Sequence, residues 1–303
     1  MAEPAITVSG LTKRYGHHEA VRGIDFEVQT GEVFGFLGPN GAGKTTTIEI
    51  LEGYRSRTGG DVRVLGVDPE HAGSSWRDRI GLVLQEFEFD GRLTARETVT
   101  LFAGLFTAPR PVEETIRLVG LGAQADARVG SLSGGQRRRV DVAVGIVGDP
   151  ELVFLDEPTT GFDPAARREA WNMIDGLRSL GKTIFLTTHY MDEAQHLADR
   201  VAIINAGVIA AEGTPDSLGG DRRTTISFHR PDGFALEELA AVVDVKPAIA
   251  GSDVTLEVED AQETLLKLLR FADDRRLRLE DLEVHRPSLE DVFLELVGQE
   301  ERA

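Results

Sequence analysis

The 303-residue chain contains no cysteine, which excludes disulfides and thiolate metal sites and fits a reducing compartment. It has no apolar run near the roughly 18 to 20 residues needed to cross a bilayer. Runs such as Leu152–Leu155 and Val201–Ile204 are strand-sized. The N-terminus lacks the basic region and hydrophobic stretch of a secretory signal, so none is expected. Positive charge is in the minority. With 33 Lys and Arg against 51 Asp and Glu, the formal charge is −18, a field that repels a phosphate backbone, so no nucleic-acid partner is expected. The seven histidines show no metal-ligand pairing. What remains, 41% hydrophobic and 28% charged residues, is ordinary for a globular protein large enough for one big domain or two smaller ones. An acidic, soluble, cytoplasmic protein without direct membrane insertion is the expectation.

Along the chain, Ala5–Ser9 and Ile24–Gln29 alternate as short strands, with turns at Tyr15–Gly16 and Thr30–Gly31. Glu32–Leu37 is an apolar strand that enters a glycine-rich turn and a helical stretch, Gly43–Leu51. A strand at Ile80–Leu84 precedes a region, about Glu86 to Pro150, with helical spacing at Thr94–Phe106 and Val112–Leu118. Buried-strand runs then follow at Leu152–Leu155, Thr183–Thr187 and Val201–Ile204. Helical stretches Ala165–Leu180 and Met191–Asp199 separate them, the pattern of a parallel α/β sheet. Gly219–Gly220 marks a domain boundary. Beyond it, strands at Thr225–His229, Val245–Ala250, Val254–Val258 and Leu279–His285 alternate with helices at Leu236–Val243 and Ala261–Ala272. That βαββαβ order predicts a small α+β, ferredoxin-like unit, followed by an amphipathic helix over Ser288–Val297.

Gly38-Pro-Asn40-Gly41-Ala42-Gly43-Lys44-Thr45 fits the P-loop pattern, followed by Thr46. Small residues let successive backbone N–H groups turn inward around phosphates, and the next helix adds its positive N-terminal end. Lys44 then reaches the terminal phosphates and the Thr45 hydroxyl ligates Mg²⁺. The pattern recurs at Gly176-Leu-Arg-Ser-Leu-Gly181-Lys182-Thr183, but there it follows a helix and leads into a strand. With the order reversed, no helix N-terminus faces a phosphate, and a glycine stop after a helix is the reading. Leu152–Leu155 delivers Asp156 and Glu157 to a strand's C-terminal end, where open α/β sheets bind ligands. Asp156 suits Mg²⁺, and Glu157 can orient and deprotonate a water. Ser133, in Leu132-Ser133-Gly134-Gly135-Gln136, is a good N-cap whose helix start offers amides and dipole to a second anion.

Together these elements resemble an ATP-binding-cassette (ABC) transporter nucleotide-binding subunit, over roughly residues 4–220. Leu132–Gln136 matches that family's signature motif. The resemblance implies a RecA-like P-loop NTPase domain with antiparallel β and helical subdomains. It spans 1–220, with its core at about 1–85 and 151–220 and its helical subdomain at about 86–150. An accessory domain covers 221–303. The resemblance further implies that Tyr15 stacks on adenine, that Gln85 touches Mg²⁺ and water and senses the membrane partner, and that Asp163, in Gly161-Phe-Asp-Pro, lies in the loop crossing a dimer interface. His189, in Leu186-Thr-Thr-His, contacts the γ-phosphate. Two features depart from the family: Phe162 replaces the usual leucine, and Val140–Val147 alternates like a strand where the family has a helix. The family's helix is expected there.

The implied activity is MgATP hydrolysis in a homodimer closed around ATP, at the cytoplasmic face of the membrane through a separate multi-spanning permease. Arg286-Pro-Ser-Leu-Glu-Asp-Val-Phe-Leu294 resembles the C-terminal end of bacterial ABC-2-type exporters, notably the daunorubicin-resistance-like group, which points to export of a drug or lipid-like compound. The tail from Asp221 has 20 acidic and 11 basic residues, a solvated surface rather than a lipid-binding one. The alternative is a soluble ABC-type ATPase acting on a non-transport partner. A P-loop kinase leaves Leu132–Gln136 unexplained.

Overall fold

The computed structural model describes residues 3–83, 89–220, 224–231, 236–285 and 289–298. The chain divides into two compact units, Met1–Pro215 and Asp216–Gln299.

The first unit begins with β1 (Ile6–Tyr15), β2 (His18–Val28), β3 (Val33–Leu37), α1 (Lys44–Leu51), β4 (Gly59–Val64), α2 (Ser74–Arg77) and β5 (Ile80–Val83). Three helices follow, α3 (Ala95–Ala103), α4 (Val112–Leu118) and α5 (Gly134–Ile146). The unit then runs through β6 (Leu152–Asp156), α6 (Pro164–Ser179), β7 (Thr183–Thr188), α7 (Met191–Leu197), β8 (Arg200–Asn205) and β9 (Val208–Gly213). A short helix, α8 (Pro215–Gly220), spans the division between units and ends on Gly219–Gly220.

The six-stranded sheet has the order β5-β6-β7-β3-β8-β9, parallel except for the β8–β9 hairpin. Its central strands β3 and β7 are buried at every position, which is why they read as continuous apolar runs rather than alternating ones. Phe26, Phe34, Phe36, Phe154 and Phe185 pack there with ring centroids 5.5 to 6.1 Å apart. An antiparallel sheet, β2-β1-β4, adjoins this core. All three of its strands differ from expectation, β2 starting at His18 rather than Ile24. Gly59–Val64 opens on two glycines and gains its order from pairing with β1. β1 itself continues to Tyr15 through register shifts that interrupt its alternation.

Val140–Val147, the segment with strand-like alternation, is helical to Ile146. Ser133 and Gln136 form a capping box at the start of α5. Each valine costs a helix roughly 0.5 kcal/mol relative to alanine. Burial of Val140, Val142, Ala143, Ile146 and Val147 outweighs this, since a fully buried aliphatic side chain contributes about 1.5 to 3 kcal/mol. The helix reaches β5 through a glycine contact: a Cβ on Gly81 would overlap the Gly145 carbonyl oxygen.

The second unit contains β10 (Thr224–His229), α9 (Leu236–Val243), β11 (Ala248–Ala250), β12 (Asp253–Val258), α10 (Ala261–Asp274), β13 (Glu280–His285) and α11 (Leu289–Gly298). Its sheet order is β11-β12-β10-β13 with every pair antiparallel, the ferredoxin-like arrangement. Ile226, Phe228, Val254 and Leu256 bury one face together with Leu239, Leu268 and Phe271 of the helices. β11 is shorter than Val245–Ala250 because Pro247 has no N–H to give a ladder.

Gly81→Ala is expected to lower stability by roughly 1 to 3 kcal/mol through overpacking against α5. Urea unfolding checks this; an unchanged midpoint would contradict the close packing of β5 on α5.

Candidate active site

β3 ends at Leu37, and Gly38–Gly43 turns the chain into α1. The turn depends on glycine. Gly41 has φ +80° and Gly43 φ +110°, a backbone that L side chains rarely adopt. A Cβ on Gly43 would stand 2.6 Å from the Ala20 carbonyl oxygen. Ala42 is buried beneath the loop, while Asn40, Gly41 and Thr45 are exposed and Thr46 half-buried. Lys44 folds back over this turn, its Nζ donating to the carbonyl oxygens of Gly38 (2.8 Å) and Pro39 (3.2 Å). Only 5% of Lys44 is exposed, and burial pulls its ammonium below the ordinary lysine range against the opposing pull of Glu157.

The carboxylates arrive from β6. Glu157 follows directly with φ +44°, a left-handed backbone costing a non-glycine residue roughly 1 to 2 kcal/mol. Neighbours hold it there. Its N–H is 3.1 Å from both the carbonyl oxygen and the hydroxyl of Thr187. That hydroxyl donates to Asp156 Oδ1 at 2.5 Å. Glu157 Oε1 lies 3.5 Å from Lys44 Nζ, and Oε2 accepts from the Thr160 hydroxyl at 3.1 Å. His189 Nδ1 is 3.3 Å from Oε2 but outside hydrogen-bond geometry, and is a buried nitrogen without a partner. The Tyr190 ring stands 4.1 Å from the imidazole. Burial raises the Asp156 carboxyl above the usual range, with Glu157 adding to the shift and Thr187 opposing it.

The arrangement fits Mg²⁺ and a triphosphate. It offers hard oxygen donors at Thr45 and Asp156, a buried ammonium satisfied only by carbonyls and a carboxylate, and a loop that a side chain would fill. The structure therefore brings Lys44, Asp156, Glu157 and His189 together beside the loop. Gln85 lies outside the described residues, as do residues 286–288 of the tail motif. Tyr15 is exposed on β1, with Lys13 Nζ 5.1 Å and the Arg55 guanidinium carbon 5.4 Å from its ring centre.

Ser133 and Gln136 satisfy each other reciprocally: Gln136 N donates to Ser133 Oγ (3.3 Å) and Ser133 N to Gln136 Oε1 (3.0 Å). Ser133 and Gly134 are exposed, and Gly135 half-buried. Asp163 caps α6, accepting from the Ala165 and Ala166 amides at 2.9 Å each. None of these contacts reaches the Lys44 cluster. In the decoy pattern, Gly181 has φ +75° after α6, and Lys182 pairs with Asp149 at 2.7 Å, so its ammonium is already engaged. Sequence reasoning missed a polar rim beside the phosphate loop. A cavity of about 570 Å³ beside Gly41 is lined by Arg14, His17, His18, Glu19 and Arg22, with Arg14 and Glu19 ion-paired.

A family model described as "ABC transporter" matches residues 21–160. A second, "ABC transporter domain-containing protein-like, C-terminal domain", matches 224–288. The daunorubicin resistance ATP-binding protein DrrA3 of Streptomyces coeruleorubidus is 37% identical, covering 100% of this chain and 98% of that protein. The Nod factor export ATP-binding protein I of Paraburkholderia xenovorans (strain LB400) is 40% identical, with 99% of each covered. The chain belongs to the ABC transporter ATP-binding proteins. Among solved structures, cbiO1 from Clostridium perfringens, part of the ABC transporter complex cbiONQ, superposes with TM-score 0.64 at 26% identity, covering 72% of this chain and 91% of that one. The ADP conformation of an ATP-binding cassette of an ABC transporter gives TM-score 0.64 at 23% identity over 71% and 93%, and supports the fold alone. This ABC subunit is thus an ATPase whose nucleotide and metal are ATP and Mg²⁺.

Near the same cluster, Glu52 at the end of α1 is 9% exposed, and burial together with the Asp156 and Glu49 charges pushes its carboxyl up to about 8. The fold therefore favours protonated Glu52, whereas the unfolded chain ionises it near 4.5. Its stabilising contribution is complete below pH 4.5 and is lost as pH rises towards 8. Glu52→Gln, which mimics the protonated form, is expected to gain stability over wild type across this window, by at most about 1.4 kcal/mol per pH unit. Urea midpoints of both proteins from pH 5 to 8 check it; a pH-independent difference would contradict it.

Proposed function

We propose that two copies of this chain close head to tail around two MgATP, and that hydrolysis at Glu157 reopens them to drive export by a separate multi-spanning permease. The observation that carries this reading is the convergence on Glu157, with Lys44 at 3.5 Å and His189 at 3.3 Å. A Mg²⁺ ion would be held by Thr45 and Asp156 and would supply positive charge to the phosphates. Lys44 leaves its carbonyl partners for the phosphates, whose charge offsets the cost of burying the ammonium. Its departure frees Glu157 to accept a proton from the attacking water. In this reading His189, whose Nδ1 is 3.3 Å from Glu157 but makes no hydrogen bond, contacts the γ-phosphate. Gly38, Asn40, Gly41, Ala42, Gly43 and Thr46 cradle the phosphates, and Tyr15 takes the adenine.

The homodimer follows from a mismatch. Ser133, Gly134, Gly135 and Gln136 form a helix start suited to an anion, yet Ser133 and Gly134 face outward. A second chain's ATP supplies that anion, with Asp163 at the crossing. The permease reading rests on a groove of about 800 Å³ between β5 and α3, lined by Ile80, Leu82, Val83, Phe102 and Phe106. At its rim Leu105 and Tyr54 are 72% and 83% exposed, and no described helix is long and apolar enough to cross a membrane. The relatives' names, daunorubicin resistance and Nod factor export, favour a drug or lipid-like cargo, and the chain would then sit at the cytoplasmic membrane face through the permease.

Glu157→Gln should lower steady-state ATP turnover by about 10²- to 10⁴-fold, the usual worth of a general base, and should leave an ATP-bound dimer in gel filtration. Turnover near wild type would remove Glu157 from the role of base.

A further inference from the structure

The helix that begins at the signature continues into a buried cation. Arg138, two residues beyond Gln136 on α5, is 7% exposed. Its Nε donates to the Pro158 carbonyl oxygen at 3.1 Å, and Nη2 donates to that of Asp156 at 3.3 Å. The two acceptors flank residue 157. A third nitrogen, Nη1, lies 3.6 Å from Asp141 Oδ2, and Asp141 in turn lines the groove between β5 and α3. Folding alone does not call for a guanidinium here, since Val140, Val142 and Ala143 on the same helix show that apolar side chains fill the surrounding core. A planar fork is the side chain suited to hold two carbonyls at fixed separation.

We propose that Arg138 is a positioning residue for hydrolysis: its fork holds the carbonyls on either side of Glu157 and so fixes that residue's left-handed backbone, while Asp141 orients the fork. The segment bearing the base is thereby tied to the helix whose first turn is the signature, and through Asp141 to the groove. This inference rests on the reading of Glu157 as the base.

The test uses the purified full-length chain, with ATP turnover resolved into kcat and KM for wild type, Arg138→Met, Arg138→Lys, Asp141→Asn and Glu157→Gln. A fluorescent ATP analogue reports binding and thermal unfolding reports folding. Arg138→Met is expected to lower kcat by about 10- to 100-fold, the scale of a misplaced catalytic group, with KM and analogue affinity within about twofold of wild type. Arg138→Lys, which can remake one of the two carbonyl bonds, should recover part of the loss, and Asp141→Asn should fall between it and wild type. If Arg138→Met is folded and keeps kcat within twofold while Glu157→Gln is inactive, this inference fails and the base assignment stands. A parallel loss of analogue binding, or no recovery by lysine when Arg138→Met is unfolded, also overturns it. Turnover by Glu157→Gln at the wild-type rate removes the base assignment itself.

Discussion

Lys44 and Glu157 approach to 3.5 Å in a place where neither is well solvated. An isolated buried ammonium is unfavourable, and so is a carboxylate beside a second carboxylate. Each makes the other tolerable, and the surrounding structure maintains their approach. The glycine turn brings Lys44 back over its own loop. The parallel register of β6 against β7 sets Asp156 opposite Thr187, whose hydroxyl serves both Asp156 and the Glu157 amide. The shifts at Lys44 and Asp156 express the same tension, and a cation with a polyphosphate relieves both.

Local chemistry made the phosphate loop legible. Gly41 and Gly43 are needed for their backbone angles, and the strand before and helix after them separated Gly38–Thr45 from the decoy at Gly176–Thr183. The strands Leu152–Asp156 and Thr183–Thr188 were legible because both their faces are buried. Gly59–Val64 was not, because its order comes from pairing with β1 rather than from its own residues. Val140–Val147 sent a misleading local signal. Its alternation is real, but the capping box at Ser133 and burial against β5 decide for helix.

Arg138 shows a different limit of sequence reading. As one of three consecutive arginines it looks like solvated charge. Its partners lie 18 and 20 residues further along, at the end of a strand, and only the fold brings them within reach. The polar rim of Arg14, His17, His18, Glu19 and Arg22 was hidden for the same reason. In both cases the residue type carried no signal until the carbonyls or the loop opposite it were in place.

In the proposed dimer, one chain's signature helix completes the ATP site of the other. Because the chain has no native cysteine, Asn40→Cys and Ser133→Cys can be introduced together as its only thiols. A short bismaleimide added to that protein with MgATP, in the Glu157→Gln background, should yield a covalent dimer. Without nucleotide it should yield monomer. Equal cross-linking with and without ATP, or none in either state while the protein binds ATP, would contradict the head-to-tail account.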